Sequence, residues 1–128
     1  YGSWLPGYLN HPGVWSFVYE QDGLVVGFAM LGVLEPDDAF DDRMADLLAI
    51  AVRQSHQGLG VGTALLKKIN EKAHDLKEMM QLAEVRLTVA EPNETARRLF
   101  AKFGFVEVKG NHGFYDKGQR ALRLKRVL

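Results

Sequence analysis

The chain has 128 residues with 16 acidic and 16 basic side chains and no cysteine. This length suits one domain with its own core, and the missing cysteine excludes disulfides, a cysteine nucleophile and thiolate metal sites. The balanced charge gives no indication of a nucleic-acid or membrane partner. The four histidines show no metal-ligand spacing, so no metal is expected, and the composition is compatible with a cytoplasmic protein.

Short apolar and alternating runs at the start of the chain predict strands. Residues 4–13, rich in glycine, proline and aromatic side chains, are expected to be a loop or the remnant of a helix. Residues 15–20 alternate in polarity and residues 24–34 form a long run of strand-forming side chains, so the turn at 21–23 predicts an antiparallel hairpin. Residues 35–43 carry five acidic side chains and are expected to be a solvated loop.

The middle of the chain is typical of a strand, a helix and a second strand. Residues 46–52 are almost entirely apolar, which indicates a central strand covered on both faces. After a glycine-containing loop at 53–60, apolar side chains recur every three or four positions from Val61 to about Met80 and predict a helix. Residues 84–89 form the next strand, so this unit is expected to be a right-handed parallel crossover.

The last third of the chain predicts a short helix and two strands. The helix is expected to start at Asn93, and Gly104 suits the left-handed position that follows a helix. Strands follow at 105–109 and 121–128. The order β-β-β-α-β-α-β-β predicts an α/β fold, in which a mixed sheet contains one parallel β-α-β unit and has flanking helices.

The sharpest functional signal is a glycine-rich segment between a predicted strand and a predicted helix, Gln57-Gly58-Leu59-Gly60-Val61-Gly62. Glycines allow a close approach of backbone to ligand, and the free N–H groups of a helix start suit a phosphate or diphosphate. Thr63 and Ala64 follow Gly62, so the lysine of a P-loop is missing, and Thr63 also replaces the last glycine of a dinucleotide fingerprint. Tight packing of helix against strand is the alternative interpretation of the glycines.

Two segments together resemble the acetyl-CoA signature of the GNAT superfamily of N-acetyltransferases. The family's Gln/Arg-x-x-Gly-x-Gly/Ala is met by Gln57, Gly60 and Gly62. Its Asn-x-x-Ala-x-x-Leu-Tyr-x-x-x-Gly-Phe is met, except at the tyrosine, by Asn93, Ala96, Leu99, Gly104 and Phe105. The resemblance covers roughly residues 24–128 and implies the GNAT-like fold, with splayed central strands. Because the chain starts at Tyr1, we expect residues 1–128 to be one GNAT domain without the family's first strand and helix.

The resemblance implies an acetyl-CoA site built mainly from backbone. The glycine loop would hold the diphosphate, and the strand at 46–52 would pair with the pantetheine arm, the Ile50 N–H facing the thioester carbonyl. The residues expected to bind the cofactor are Ile50, Ala51, Val52, Gln57, Gly58, Leu59, Gly60, Val61, Gly62, Thr63, Asn93 and Phe100.

The resemblance also implies candidate catalytic residues, Asp46 and Tyr115. Asp46 is the only acid on its apolar strand and matches the position of a glutamate base in the histone-acetyltransferase branch; the alternative is an aspartate that faces water. Phe100 replaces the tyrosine that protonates the departing CoA sulfur, so we expect Tyr115 to substitute unless it only packs on the sheet. Thr88 replaces a base that N-terminal acetyltransferases of the family often carry, which weakens that assignment.

The sequence thus predicts an N-acetyltransferase that moves acetyl from acetyl-CoA to a primary amine of a small molecule or peptide. The alternative, which Phe100 favours, is a non-catalytic acetyl-CoA-binding or regulatory module. A homodimer in which a partner strand completes the sheet also stays open.

Overall fold

The computed structural model describes residues 2–6, 13–34 and 43–128, which form one mixed sheet and two α-helices. The strands are β1 (Gly2–Pro6), β2 (Val14–Gln21), β3 (Leu24–Leu34), β4 (Arg43–Val52), β5 (Leu82–Ala90), β6 (Val106–Val108) and β7 (Ala121–Val127), and the helices are α1 (Val61–Met80) and α2 (Glu94–Lys102). The strand order across the sheet is β1-β2-β3-β4-β5-β7-β6. Only β4 and β5 pair in parallel among these strands, which confirms the predicted parallel pairing of the crossover.

The start of the chain differs from its sequence-based interpretation. The expectation of a loop or helix remnant at 4–13 is wrong for its first part, because Gly2–Pro6 is a strand that pairs antiparallel with β2. A five-residue segment with glycine and proline has little strand propensity of its own, and the ladder with β2 satisfies its backbone instead. The rest of that segment, residues 7–12, and the expected acidic loop at 35–42 lie outside the described residues.

Both helices pack on one face of the sheet. The crossovers β4-α1-β5 and β5-α2-β6 advance in the same direction across the sheet, and right-handed connections then place both helices on the same side. The contacts agree, because a Cβ added at Gly62 on α1 would lie 3.2 Å from Leu99 Cδ2 on α2. Under the helices, buried side chains such as Leu65 and Val85 form a single apolar core. We call this side of the sheet the helix face.

The opposite side of the sheet, which we call the open face, carries no helix within the described residues. Leu48 on β4 is 49% exposed there. The expectation that β4 is covered on both faces is therefore wrong for the described chain. The ladder between β3 and β4 passes from Met30 opposite Ala49 to Leu31 opposite Leu47, so Leu48 is the extra residue of a β-bulge and leaves the alternation that an apolar strand suggests.

We expect Gly27→Ala to destabilise the fold more than Gly32→Ala, although both glycines lie on β3. A methyl group at Gly27 would lie 2.9 Å from Val61 Cγ1 and 3.0 Å from Leu65 Cδ1, which are packed in the core. Overpacking of this kind costs about 1–3 kcal/mol. At Gly32 the nearest atom, at 2.8 Å, is the end of the half-exposed Leu48 side chain, which can move aside. Urea unfolding measures both losses, and an equal or larger loss at Gly32 would contradict the assignment of the two faces.

Candidate functional site

Strands β4 and β5 separate halfway along their length. Their parallel ladder ends at Asp46 opposite Arg86, while β4 stays paired with β3, and β5 with β7, to their last residues. The bulge at Leu48 lies just beyond the last paired position, and a bulge bends its strand and increases the local twist. We call the wedge between residues 47–52 and 87–90 the gap.

The backbone of Ile50 points into the gap. Arg53 donates its N–H to the Val26 carbonyl at 2.7 Å, which directs that N–H towards β3. Backbone directions alternate along a strand, so the N–H and C=O groups of Val52 and Ile50 point away from β3. Val52 already accepts a hydrogen bond from Gln57 Nε2 at 3.2 Å. Ile50 therefore presents an unpaired strand edge, which an extended chain with amide groups can pair with.

The same alternation separates Ala51 from its neighbours. Ala51 pairs opposite Phe28 on β3, and its backbone groups point to that strand rather than into the gap. Its small side chain is exposed on the open face. Of the three residues predicted on β4 to bind the cofactor, the structure brings the backbones of Ile50 and Val52 to the gap and directs that of Ala51 elsewhere.

The glycine loop lies at the wide end of the gap, between β4 and α1. Gly58 and Gly60 have φ angles of 78° and 86°, in the left-handed region that favours glycine, and an added Cβ at either would meet no atom within 4 Å. No side chain caps the start of α1. The N–H groups of Val61, Gly62 and Thr63 consequently lack helical partners and add to the positive end of the helix dipole. Such an open helix start suits a diphosphate.

Gly62 differs from the other two glycines of the loop. Its φ angle is not left-handed, and an added Cβ would lie 3.2 Å from Leu99 Cδ2 and 3.8 Å from Val52 Cγ2. The packing interpretation of the glycine cluster therefore applies to Gly62, where α1, α2 and β4 meet. Leu59 is 68% exposed beside the loop.

The two site residues predicted near α2 have different surroundings. Asn93 is exposed and caps the helix, because its Oδ1 accepts the Ala96 N–H at 3.2 Å. Phe100 is 4% exposed, and its ring meets the edge of the Phe105 ring with centroids 5.9 Å apart. Phe100 thus serves the core, and a cofactor contact through it stays a prediction.

Asp46 lies where the gap closes, on the open face. It pairs opposite Gly32, whose added Cβ would point at Leu48 rather than at a helix. Burial raises the pKa of the half-buried Asp46 carboxyl, and the nearby Arg86 and Arg123 lower this pKa without cancelling the effect of burial. A carboxyl group whose pKa is raised is better matched to proton transfer near neutral pH than an exposed one.

Two arginines beside Asp46 are site residues that sequence reasoning missed. Arg86 lies opposite Asp46 in the β4–β5 ladder, and Arg123 lies opposite Thr88 in the β5–β7 ladder. The alternation of Arg123 and Lys125 with leucines does indicate that these side chains face away from the core. Only the pairing of β7 with β5 shows that they share a face with Asp46.

Tyr115 lies in the connection between β6 and β7 and is 39% exposed. Its backbone N–H donates to Gln119 at 2.7 Å and its carbonyl accepts from Gly118 at 2.8 Å, so it stabilises a turn. Its hydroxyl makes no hydrogen bond to any described residue. The structure does not join Tyr115 to Asp46, and its role as an acid stays a prediction.

Other kinds of site are not evident in residues 13–34 and 43–128. They contain no group of three or more potential metal ligands. Neither helix is long and apolar enough to cross a membrane. A cavity of about 400 Å³ lies between α2 and the strands β6 and β7, and none of the predicted site residues lines it.

Comparison with known proteins shows which family and which structures the chain resembles. Residues 3–105 match the model of the acetyltransferase (GNAT) family. An N-alpha-acetyltransferase of Sulfurisphaera tokodaii is 35% identical over 82% of this chain, which spans 64% of that relative's length. The solved ribosomal-protein-S18-alanine N-acetyltransferase of Escherichia coli is 25% identical, with a TM-score of 0.74 over 92% of this chain and 71% of its own. Arabidopsis thaliana NAA60 in complex with acetyl-CoA is 18% identical, with a TM-score of 0.76 over 93% of this chain and 78% of its own.

We expect the stability of Asp46→Asn relative to wild type to increase with pH. Because burial raises the pKa of Asp46, the stability given by its protonated form is present below the ordinary pKa and is lost as the pH rises through the raised one. Asparagine does not ionise, so the difference in melting temperature should grow in favour of the variant from about pH 4 to about pH 7.

Thermal unfolding at several pH values measures this difference, and Asp75→Asn on the exposed side of α1 is the matched substitution outside the site. A difference for Asp46→Asn that does not change with pH would contradict the burial of a charged carboxylate.

Proposed function

The chain belongs to the acetyltransferase (GNAT) family, and on that premise we propose that it transfers the acetyl group of acetyl-CoA to the α-amine of a peptide or protein, as one domain comprising residues 1–128. The observation that carries this proposal is the gap between β4 and β5, which leads from an uncapped helix start to the Asp46 carboxyl and has the unpaired backbone of Ile50 along one wall.

The backbone geometry supports a specific position for the cofactor. The diphosphate of acetyl-CoA would bind the N–H groups at the start of α1, and the pantetheine arm would enter the gap from the helix face and pair with β4. The Ile50 N–H would then face the thioester carbonyl. A donor aimed at the developing oxyanion lowers the barrier by about 2.7–4 kcal/mol. That acetyl-CoA is bound in the Arabidopsis protein of the same fold is consistent with this position.

The relatives favour an α-amine as the acceptor. The relative from Sulfurisphaera tokodaii is named an N-alpha-acetyltransferase. An α-amine has a pKa of about 8, so roughly a tenth is neutral at pH 7 and the demand on a base is smaller than for a lysine. An α-amine therefore does not require a base at position 88, where this chain has threonine. Asp46 can remove the remaining proton through water. Four residue steps separate Asp46 from Ile50, roughly 13 Å along an extended strand, which leaves room for the amine and a water molecule.

The departing thiolate needs little assistance. A thiol has a pKa of about 8.5, so CoA leaves as a thiolate or takes a proton from water at neutral pH. Phe100 has no proton to give, and we propose the hydroxyl of Tyr115 as the alternative donor. The sequence of events is attack of the amine on the thioester carbon, collapse of the tetrahedral intermediate and release of CoA. No covalent enzyme intermediate is required.

The buried position of Phe100 favours one second candidate, a module that binds acetyl-CoA without transferring the acetyl group. Such a module would bind acetyl-CoA with the same backbone groups. It would release no CoA in the presence of any amine. A thiol-release assay with a panel of peptides separates this candidate from the proposed enzyme.

We expect Gly60→Asp to weaken CoA binding by about tenfold or more relative to Gly60→Asn, because the carboxylate repels the diphosphate. Both substituents have the same shape, both can cap α1, and asparagine and aspartate tolerate the left-handed backbone at this position better than other side chains do. Isothermal calorimetry with CoA measures the two dissociation constants. Equal affinity in the two variants would mean that the diphosphate binds elsewhere.

We expect Asp46→Asn to lower kcat/KM by about 100-fold and to remove the rise of the rate with pH that follows ionisation of Asp46. The raised pKa moves this rise above the range of an exposed aspartate. Release of CoA thiol with a peptide acceptor across a pH series measures the profile, with Asp75→Asn as the control. If the variant keeps both the wild-type rate and the rise of that rate with pH, Asp46 is not the base.

A further inference from the structure

Arg123 is a cation on the open face that makes no direct ion pair or hydrogen bond with any described residue, and its charge acts on the nearby Asp46 carboxyl. It lies opposite Thr88 in the β5–β7 ladder, directly behind the wall of the gap that β5 forms. Its neighbour Arg86 differs, because the Arg86 Nε atom contacts Glu84 Oε2 at 2.8 Å. Neighbouring strands lie about 4.8 Å apart, so an arginine side chain on β7 is long enough to reach across β5, and Arg123 acts on the pKa of the Asp46 carboxyl on the far side of that strand.

Among the described residues, the charges at the closed end of the gap leave an excess of positive charge. Arg86, Arg123 and Lys125 share the open face with two carboxylates, those of Glu84 and Asp46. Glu84 is engaged by Arg86, which leaves the half-buried Asp46 as the carboxylate that Arg123 and Lys125 have near them on this face. The field of these cations favours the neutral form of a bound amine and attracts an anionic group next to it.

The geometry determines from which side the acceptor arrives. If acetyl-CoA enters the gap from the helix face, where the glycine loop lies, then the acceptor has to approach from the open face. That approach would bring the amine near Asp46 and the next residue of the peptide near Thr88 and Arg123, which lie opposite each other in the β5–β7 ladder. The guanidinium group carries a planar set of donors that matches a carboxylate bidentately, which a lysine does not offer.

Resting on the proposed function, we propose that Arg123 makes the enzyme selective for peptides with an acidic second residue, whose carboxylate it binds while Asp46 receives the α-amine. Arg123 is a specificity-determining residue in this account and takes no part in acyl transfer. The ion pair forms with the substrate, since Arg123 lies near enough to Asp46 to lower the pKa of that carboxyl but makes no direct ion pair with a described carboxylate.

The test compares peptides that differ only at the second residue, which is glutamate, glutamine or lysine after an N-terminal alanine. We expect wild type to show a kcat/KM about tenfold higher for glutamate than for glutamine, mainly through KM. Arg123→Gln should remove this preference, Arg123→Lys should keep part of it, and Arg123→Glu should favour the lysine peptide. Lys67→Glu on the exposed side of α1 makes a charge change of the same size and should keep the wild-type ranking.

The outcomes separate the inference from the function on which it rests. Equal kcat/KM values for the three peptides with wild type, or a glutamate preference that survives Arg123→Glu, overturn the role of Arg123 and leave acetyl transfer intact. A uniform fall for all peptides in Arg123→Gln, with a shifted pH profile, also overturns it, because Arg123 would then act only on Asp46. If no peptide is acetylated although CoA binds, the proposed function fails and the selectivity fails with it. Thermal unfolding of each variant identifies any that does not fold. If Arg123→Glu does not fold, the comparison of Arg123→Gln with wild type decides the test.

Discussion

The separation of β4 from β5 beyond Asp46 leaves backbone hydrogen-bonding groups in the middle of a sheet without a strand to pair with. Such groups are costly when they are deprived of both water and protein partners, so a strand edge of this kind is either hydrated or occupied. The bulge at Leu48 provides the local cause, since it bends β4 just after its last residue paired with β5. The outer ladders hold the two walls of the gap in place.

Placing both helices on one face gives the two sides of the gap different chemistry. The helix face carries the uncapped start of α1 and an apolar core, which suit a diphosphate and the arm attached to it. The open face carries Asp46, whose carboxyl suits an amine, and the cations of β5 and β7, which suit an anionic group beside it. A reaction that needs two substrates to meet can therefore bring them from opposite sides of one sheet.

Local signals in the sequence predicted much of this architecture. The apolar periodicity gave the bounds of α1, the Asn93 side chain caps α2 as expected, and Gly104 has a left-handed φ angle of 85°. The strand β1 was missed because it depends on pairing with β2 rather than on its own residues. The exposure of Leu48 was missed because a bulge depends on the register of two strands, and an uninterrupted apolar sequence does not indicate where a bulge occurs.

The site shows the same division between local and long-range information. The spacing of Gly58 and Gly60 predicted a backbone conformation that needs glycine, and their left-handed φ angles confirm it. The ligand of this loop stays a prediction. The proximity of Arg123 to Asp46 could not be predicted, because it requires that β7 insert between β5 and β6. The shape of the gap likewise follows from where a ladder ends, which the sequence of neither strand specifies.

The most direct test of the gap as the cofactor site is residue-resolved amide hydrogen exchange of β4 with and without CoA. Occupation of the gap by the pantetheine arm predicts that the Ile50 amide exchanges more slowly in the complex, while the Ala51 amide, already directed to β3, changes little. If CoA binds and the exchange of Ile50 stays the same, or protection appears only on α2 and β6, the cofactor does not pair with β4 and the account is contradicted.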